Sequence, residues 1–211
     1  MKNQDPLAAY NKYHSDRDNE RIGLFTALNE KYSIESALYP GSFTHITPSF
    51  VFPHLVYVDS YKAAGKFFDQ TEVLEYITTR KKYEKEPTVT FHLSDYYKDF
   101  GEQKDSFDLL ISQYAGFISQ ACKKYLKKGG ILVANNSHGD ASMAFLDPDY
   151  EFVAVYNRKS DDKYAISEKN LNSYFIHKKQ VKITKAYLEK IQRGIGYTQS
   201  PSGYIFKKVK S

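Results

Sequence analysis

Gly41 and Asp59 are the residues whose types and spacing best suit chemistry on a nucleoside. Gly41 lies in a Pro40-Gly41-Ser42 break that follows the apolar run Ala37-Leu38-Tyr39. Asp59 closes a second apolar run, Leu55-Val56-Tyr57-Val58, at about the 20-residue spacing seen in nucleotide-binding α/β folds. In such folds a turn after one strand lets backbone approach the ligand. An acid ending the next strand accepts hydrogen bonds from the ribose hydroxyls. Asp59 and Ser60 are also good N-cap residues for a following helix. Pro-Gly is also ordinary turn punctuation.

Three further polar groups follow apolar runs. Ser94 and Asp95 come after 88–93, and Ser112, Gln113 and Tyr114 come after 107–112. Asn135, Asn136, Ser137, His138 and Asp140 come after 131–134. His138 has the right type for a base, with Asn136 or Asp140 to orient it. Ser137 or Asp140 would equally cap a helix. His45, His54, His92 and His138 show no ligand spacing, so no metal site is expected. The single cysteine, Cys122, excludes an intrachain disulfide and a cysteine-based zinc site. Lys123 and Lys124 beside it would lower its pKa, whereas a place in the core would make it inert.

The elements that must position these residues follow from periodicity. Residues 7–32 read as one or two helices, with Ile22, Leu24, Phe25 and Leu28 near 3–4 spacing. Strands are expected at 34–39, 55–59, 88–93, 107–112 and 131–134. Thr47-Pro48 suits a short helical turn. Helices are expected at 61–83 and 115–126, the second stopped by Lys127-Lys128-Gly129-Gly130. Near-continuous apolar strands alternating with helices indicate a parallel sheet covered on both faces. Late strands at 152–156 and 203–209 suit an antiparallel edge, with a helix at 184–193 between them.

The 211 residues make one domain, 1–211, with an N-terminal helical segment at 1–33 and an insertion at 157–200. No run approaches the roughly 18 apolar residues of a membrane span. The polar N-terminus carries no apolar signal core, which points to a cytoplasmic protein. A formal charge of +5 permits a nucleic-acid partner without requiring one.

This order of landmarks resembles the class I S-adenosylmethionine-dependent methyltransferase superfamily. The resemblance covers residues 20–157 and the last strand. It rests on the turn at 38–42, Asp59 in VYVDS, Asp95 in FHLSDYY, FDLLISQY before a helix, and K-K-G-G before ILVANN. The chain departs from the family in its first motif, where Pro40-Gly41-Ser42-Phe43 replaces a longer glycine pattern. The resemblance implies a Rossmann-like three-layer α-β-α sandwich with a mostly parallel seven-stranded sheet and an antiparallel C-terminal edge. It implies S-adenosylmethionine as cofactor, held by Tyr39, Pro40, Gly41, Ser42, Asp59, Ser60, Ser94, Asp95, Ser112 and Gln113. Asp95 would accept from the adenine amino group. Tyr114, Asn136 and His138 would face the acceptor, which is a small molecule, a protein or RNA. Methyl transfer is an in-line displacement that depends chiefly on positioning.

Two other function classes stay open. The glycine-poor turn suits a binding or regulatory module with weak or no catalysis. A dinucleotide oxidoreductase is disfavoured, because no G-x-G-x-x-G follows the first strand.

Overall fold

The computed structural model describes residues 5–17, 20–178 and 182–210. Residues 1–4, 18–19 and 179–181, which fall within the 1–33 and 157–200 segments, lie outside the described residues. The strands are β1 (Ser36–Pro40), β2 (His54–Asp59), β3 (Thr88–Leu93), β4 (Phe107–Ser112), β5 (Leu126–Ala134), β6 (Tyr150–Ser160), β7 (Lys163–Ser167) and β8 (Gly203–Lys208). The helices are α1 (Ala8–Tyr13), α2 (Ile22–Tyr32), α3 (Lys62–Phe68), α4 (Thr71–Arg80), α5 (Ile118–Ala121), α6 (Asp140–Phe145) and α7 (Lys185–Ile191).

The strands form one sheet in the order β3-β2-β1-β4-β5-β8-β6-β7. β1 to β5 are mutually parallel, and β8 lies antiparallel to both β5 and β6. The order reverses between β1 and β4, and such a switch point is where open α/β sheets bind ligands. The parallel strands therefore end on one rim, which presents Leu93, Asp59, Pro40, Ser112 and Ala134 in that spatial order. Alternation within each strand buries both faces. Leu38, Val56, Leu110 and Leu132 pack on one side, and Ala37, Tyr39, Leu55, Leu109 and Val133 on the other.

Several elements differ from the sequence expectation. The sheet has eight strands rather than seven. The extra strand, β7, forms because Asp161 and Asp162 make a two-residue turn with φ of 40° and 59°. That left-handed pair matches the twist of a tight hairpin. The expected 61–83 helix is two helices, α3 and α4, broken at Asp69-Gln70. The expected 115–126 helix shrinks to α5 and a 3-10 turn at Lys123–Tyr125. Lys127-Lys128-Gly129-Gly130 does not stop a helix. It is a bulge within β5, where pairing with β4 slips between Phe107 and Leu109 and Gly129 takes φ +83°.

The connection from β1 to β2 carries no α-helix, only a buried 3-10 turn at Thr47–Phe50 with Pro48 in its first turn. α1 covers that turn. Tyr10 packs on Phe50 and Tyr76 and reaches Thr47 Oγ1 at 3.0 Å. The β6–β7 hairpin docks on the start of α2, where Asp162 Oδ2 accepts the Gly23 N–H at 2.7 Å. A carboxylate suits the positive end of a helix. A Cβ at Gly23 would lie 1.7 Å from the Asp162 carbonyl oxygen, so only glycine admits this contact. The docking sets Arg21 beside the rim. Among the described residues, no helix is long and apolar enough to cross a membrane.

Candidate functional site

Gly41 and Asp59 are neighbours on the rim. The Gly41 N–H donates to the Val58 carbonyl at 2.8 Å, which pins the start of the turn to the end of β2. The Asp59 carboxylate faces that turn, and its Oδ2 accepts the Phe43 N–H at 2.8 Å. Its Oδ1 accepts the Tyr61 N–H at 2.8 Å, so Asp59 also shapes the entry to α3. A carboxylate has about four acceptor positions, so two remain for a ligand. Ser60 is exposed beside it.

The space directly over Gly41 is covered. Gly41 has φ +67°, and a Cβ there would lie 2.6 Å from the Ala115 Cβ. The loops after β3 and β4 meet above β1. The Tyr96 hydroxyl accepts the Gly116 N–H at 3.3 Å, and the Tyr97 hydroxyl accepts the Phe117 N–H at 3.3 Å. Ser94 donates its N–H to the Asp59 carbonyl at 3.1 Å. Asp95 is exposed, and its Oδ1 accepts the Tyr97 N–H at 3.0 Å, a local turn.

Beside this covered spot is a cavity of about 240 Å³, lined by His14, Arg21, Tyr39, Gly41, Ser42, Phe43, His45, Gln113 and Tyr114. His45 Nε2 donates to the Glu20 carbonyl at 2.9 Å, so Nδ1 is free to accept the Tyr39 hydroxyl at 3.1 Å. Burial, then the nearby His14 and Arg21, hold His45 well below its ordinary pKa. His14 stacks on His45 at 4.4 Å, and burial followed by Arg21 lowers its pKa to about 4. Both rings are therefore neutral near pH 7. The Ser42 and Thr44 hydroxyls and both His14 ring nitrogens are buried without a hydrogen-bond partner. Buried polar atoms of this kind are rare in native proteins. Arg21, Phe43 and Tyr114 have φ of 60°, 49° and 59°. Backbone held in this region tends to gather at functional sites.

A second cavity of about 260 Å³ opens on the other side of Arg21 and Tyr114. Asn135, Tyr156, Arg158, Tyr164 and Ser202 complete its lining. The Arg21 guanidinium lies 4.9 Å from the centre of the Tyr114 ring and donates to Gln113 Oε1. Each cavity is smaller than the roughly 300–1,000 Å³ of ordinary small-molecule sites, but together they reach that range.

The expected pairing of His138 with Asn136 or Asp140 does not form. Asn136 is engaged elsewhere, its Nδ2 donating to the Ile195 carbonyl at 3.0 Å and its Oδ1 accepting Ser142 Oγ at 2.9 Å. Asp140 points into the core, where its carboxylate accepts the Ser112 and Ser119 hydroxyls, each at 2.5 Å. Ser112 is thus turned inward, away from the rim. Asn135, the residue before Asn136, lines the cavity beyond Arg21 and Tyr114. Cys122 is buried, and burial pushes its thiol up to about 12, so the neighbouring lysines do not activate it. Among the described residues, no group of three or more His, Cys, Asp or Glu is placed to hold a metal.

Asp140 gives a pH prediction. Burial raises its carboxyl to about 6, against hydrogen bonds from Ser112 and Ser119 that lower it. The folded state therefore holds this proton more tightly than the unfolded chain. That contribution is complete below the unfolded value near 4 and is lost as pH rises through about 6. Urea unfolding at successive pH values should show wild-type stability falling relative to Asp140→Asn between about pH 4 and 7. Parallel profiles for the two proteins would contradict this.

The sequence matches no protein-family model and no curated protein. Solved structures do match. A putative O-methyltransferase from Klebsiella pneumoniae superposes with a TM-score of 0.53 at 12% identity, covering 100% of this chain and 93% of that one. An O-methyltransferase from Bacillus cereus, solved in complex with SAH, gives 0.54 at 10% identity over 100% and 93%. A putative S-adenosyl-L-methionine-dependent methyltransferase from Methanococcus maripaludis gives 0.50 at 14% identity over 100% and 98%.

The chain has the class I methyltransferase fold.

Within that methyltransferase fold, sequence reading located the rim through Gly41, Asp59 and Tyr114. It missed Arg21, His14, Tyr156 and Tyr164, and it placed His45 and Arg158 in no cavity. One signal was available for the hairpin residues, the apolar run 152–156 followed by Asp161-Asp162 and Tyr164-Ala165-Ile166. Arg21 and His14 have no local signal, because long-range packing of α1 and α2 brings them to the rim.

Proposed function

We propose that the protein transfers a methyl group from S-adenosylmethionine to an acceptor bound beside Tyr114. The observation that carries this reading is Asp59. It ends β2 next to the switch point, faces the Gly41 turn, and keeps acceptor positions beyond its two backbone partners.

The residues present fit the cofactor's parts. Asp59 would take the ribose hydroxyls, and Ser94 and Asp95 lie on the β3 side for the adenine. At the amino-acid end, Arg21 and the unpartnered Ser42 hydroxyl offer a charge and a donor inside the cavity beside Gly41. Arg21 would bind the carboxylate, a geometry its planar fork favours. When bound, S-adenosylmethionine supplies an electrophilic methyl on a sulfonium. Gln113 and Tyr114 would orient the acceptor, and neutral His14 would accept a hydrogen bond from it. Admission of the cofactor requires the 113–117 loop to move off Gly41. The Tyr96 and Tyr97 hydroxyl contacts that hold it are long, at 3.3 Å.

The second reading, a binding module without turnover, draws on one observation. β1 is followed by a buried 3-10 turn instead of a helix, and Ala115 fills the space at Gly41. Calorimetric titration separates the readings. The proposal expects S-adenosylmethionine and S-adenosylhomocysteine to bind in the micromolar range, where about −8 kcal/mol corresponds to 1 μM. No heat up to millimolar ligand would favour the module.

A further inference from the structure

We propose that the cavity between the β4 and β5 ends and the β6–β7 hairpin is an acceptor subsite for a small planar molecule bearing a carboxylate. The class of acceptor rests on the methyl-transfer reading above. The anion preference rests on the cavity alone.

Size is the first argument. At ~30 Å³ per water-sized unit, the 260 Å³ of this cavity hold roughly nine such units. That suits a free small molecule of about ten non-hydrogen atoms.

Charge is the second. Arg21 enters from the start of α2 and Arg158 from β6, and neither aspartate nor glutamate lines the cavity. A guanidinium carries five N–H donors in a planar fork, so it can serve more than one partner at once. Arg21 is held in orientation by the Tyr114 ring beneath it and by Gln113. Arg158 sits directly opposite Tyr164 across the hairpin, and its backbone N–H donates to Ser202 Oγ at 3.0 Å. With Arg21 given to the cofactor, the Arg158 fork is the group that would take the acceptor's carboxylate in bidentate geometry.

Shape is the third argument. Tyr114, Tyr156 and Tyr164 contribute flat aromatic walls, with Tyr156 and Tyr164 6.1 Å apart at 57°. Tyr156 is fixed from behind, because a Cβ at Gly203 would lie 2.3 Å from its ring. Gln113 Nε2 lies 3.5 Å from the Tyr156 hydroxyl and links this cavity to the one beside Gly41. A bound hydroxyl near Tyr114 would therefore lie toward the proposed methyl donor.

The test is calorimetric titration of the full chain with 4-hydroxybenzoate and with neutral 4-hydroxybenzyl alcohol. The anion should bind at least about tenfold more tightly than the alcohol, as expected for a charge-assisted bidentate contact. Arg158→Gln, at an exposed position near the end of β6, should abolish that preference. Arg158→Lys, which keeps the charge without the fork, should retain part of it. Equal binding of the two probes, no binding of the anion up to about 10 mM, or an unchanged preference in Arg158→Gln would each overturn the subsite. S-adenosylmethionine titrated into the same wild-type sample keeps the two claims separate. If it fails to bind while the anion preference persists, methyl transfer falls and the anion subsite stands.

Discussion

Asp59→Ala is expected to weaken S-adenosylmethionine binding by roughly 100-fold, the loss of two hydrogen bonds to a charged acceptor at ~1.5 kcal/mol each. The effect has a second part that acts without ligand. Asp59 accepts the Phe43 N–H and the Tyr61 N–H, both at 2.8 Å. Their loss loosens the turn that follows β1 and the entry to α3. Leaving such donors unpaired costs ~1–3 kcal/mol, which for a chain of this size is a fall of several degrees in Tm. Asp59→Asn separates the parts, since its amide oxygen still accepts one backbone N–H while the charge is gone. It should recover part of the stability and little of the affinity. An affinity within about threefold of wild type in Asp59→Ala would remove the carboxylate from the ligand.

Gly41→Ala and Gly41→Val are expected to lower stability in steps. Placing an L side chain at φ +67° costs ~1–2 kcal/mol, before any contact is counted. At Gly41 the new Cβ would also meet the Ala115 methyl carbon at 2.6 Å, so the 113–117 loop must shift. Valine adds bulk where none is available and restricts the side chain further. Gly101 supplies the control. It has φ +87° and nothing within 4 Å of its would-be Cβ, so Gly101→Ala reports the backbone cost alone. Thermal unfolding should therefore rank Gly101→Ala above Gly41→Ala, and Gly41→Ala above Gly41→Val. Equal Tm values for the two alanine variants would mean that the Ala115 contact yields freely. The loop's position over the rim would then not control access.

The rim is legible in the sequence because strand burial leaves a direct trace. FDLLIS at 107–112 and TVTFHL at 88–93 are compact runs followed by polar residues, and the strands fall on those residues. The same signal put Asp59 at the end of β2 and Gly41 just beyond β1. Parallel pairing then brings them together, since Pro40 lies opposite Val58.

The rest depends on contacts that local patterns do not record. Apolar spacing at 115–126 suggests a long helix. Asp140, distant in sequence, ties down Ser119 at the start of α5, and the strained Tyr114 backbone keeps the preceding residues as a loop. His138 looked catalytic because it follows β5 within a polar cluster, but the orienting groups it needs serve the core and the 194–195 segment instead. The Asp161-Asp162 hairpin was hidden by its polarity. Charged residues at 157–163 read as an insertion, while their backbone pairing makes them the sheet edge. Arg21, which joins the two cavities, depends on the docking of that hairpin on α2.

A crystal structure with S-adenosylhomocysteine tests the central claim most directly. The account predicts both ribose hydroxyls within hydrogen-bond reach of the Asp59 carboxylate, and Ala115 displaced from Gly41. Nucleoside density elsewhere on the molecule, or an Asp59 that keeps only its Phe43 and Tyr61 partners while ligand is bound, would contradict it.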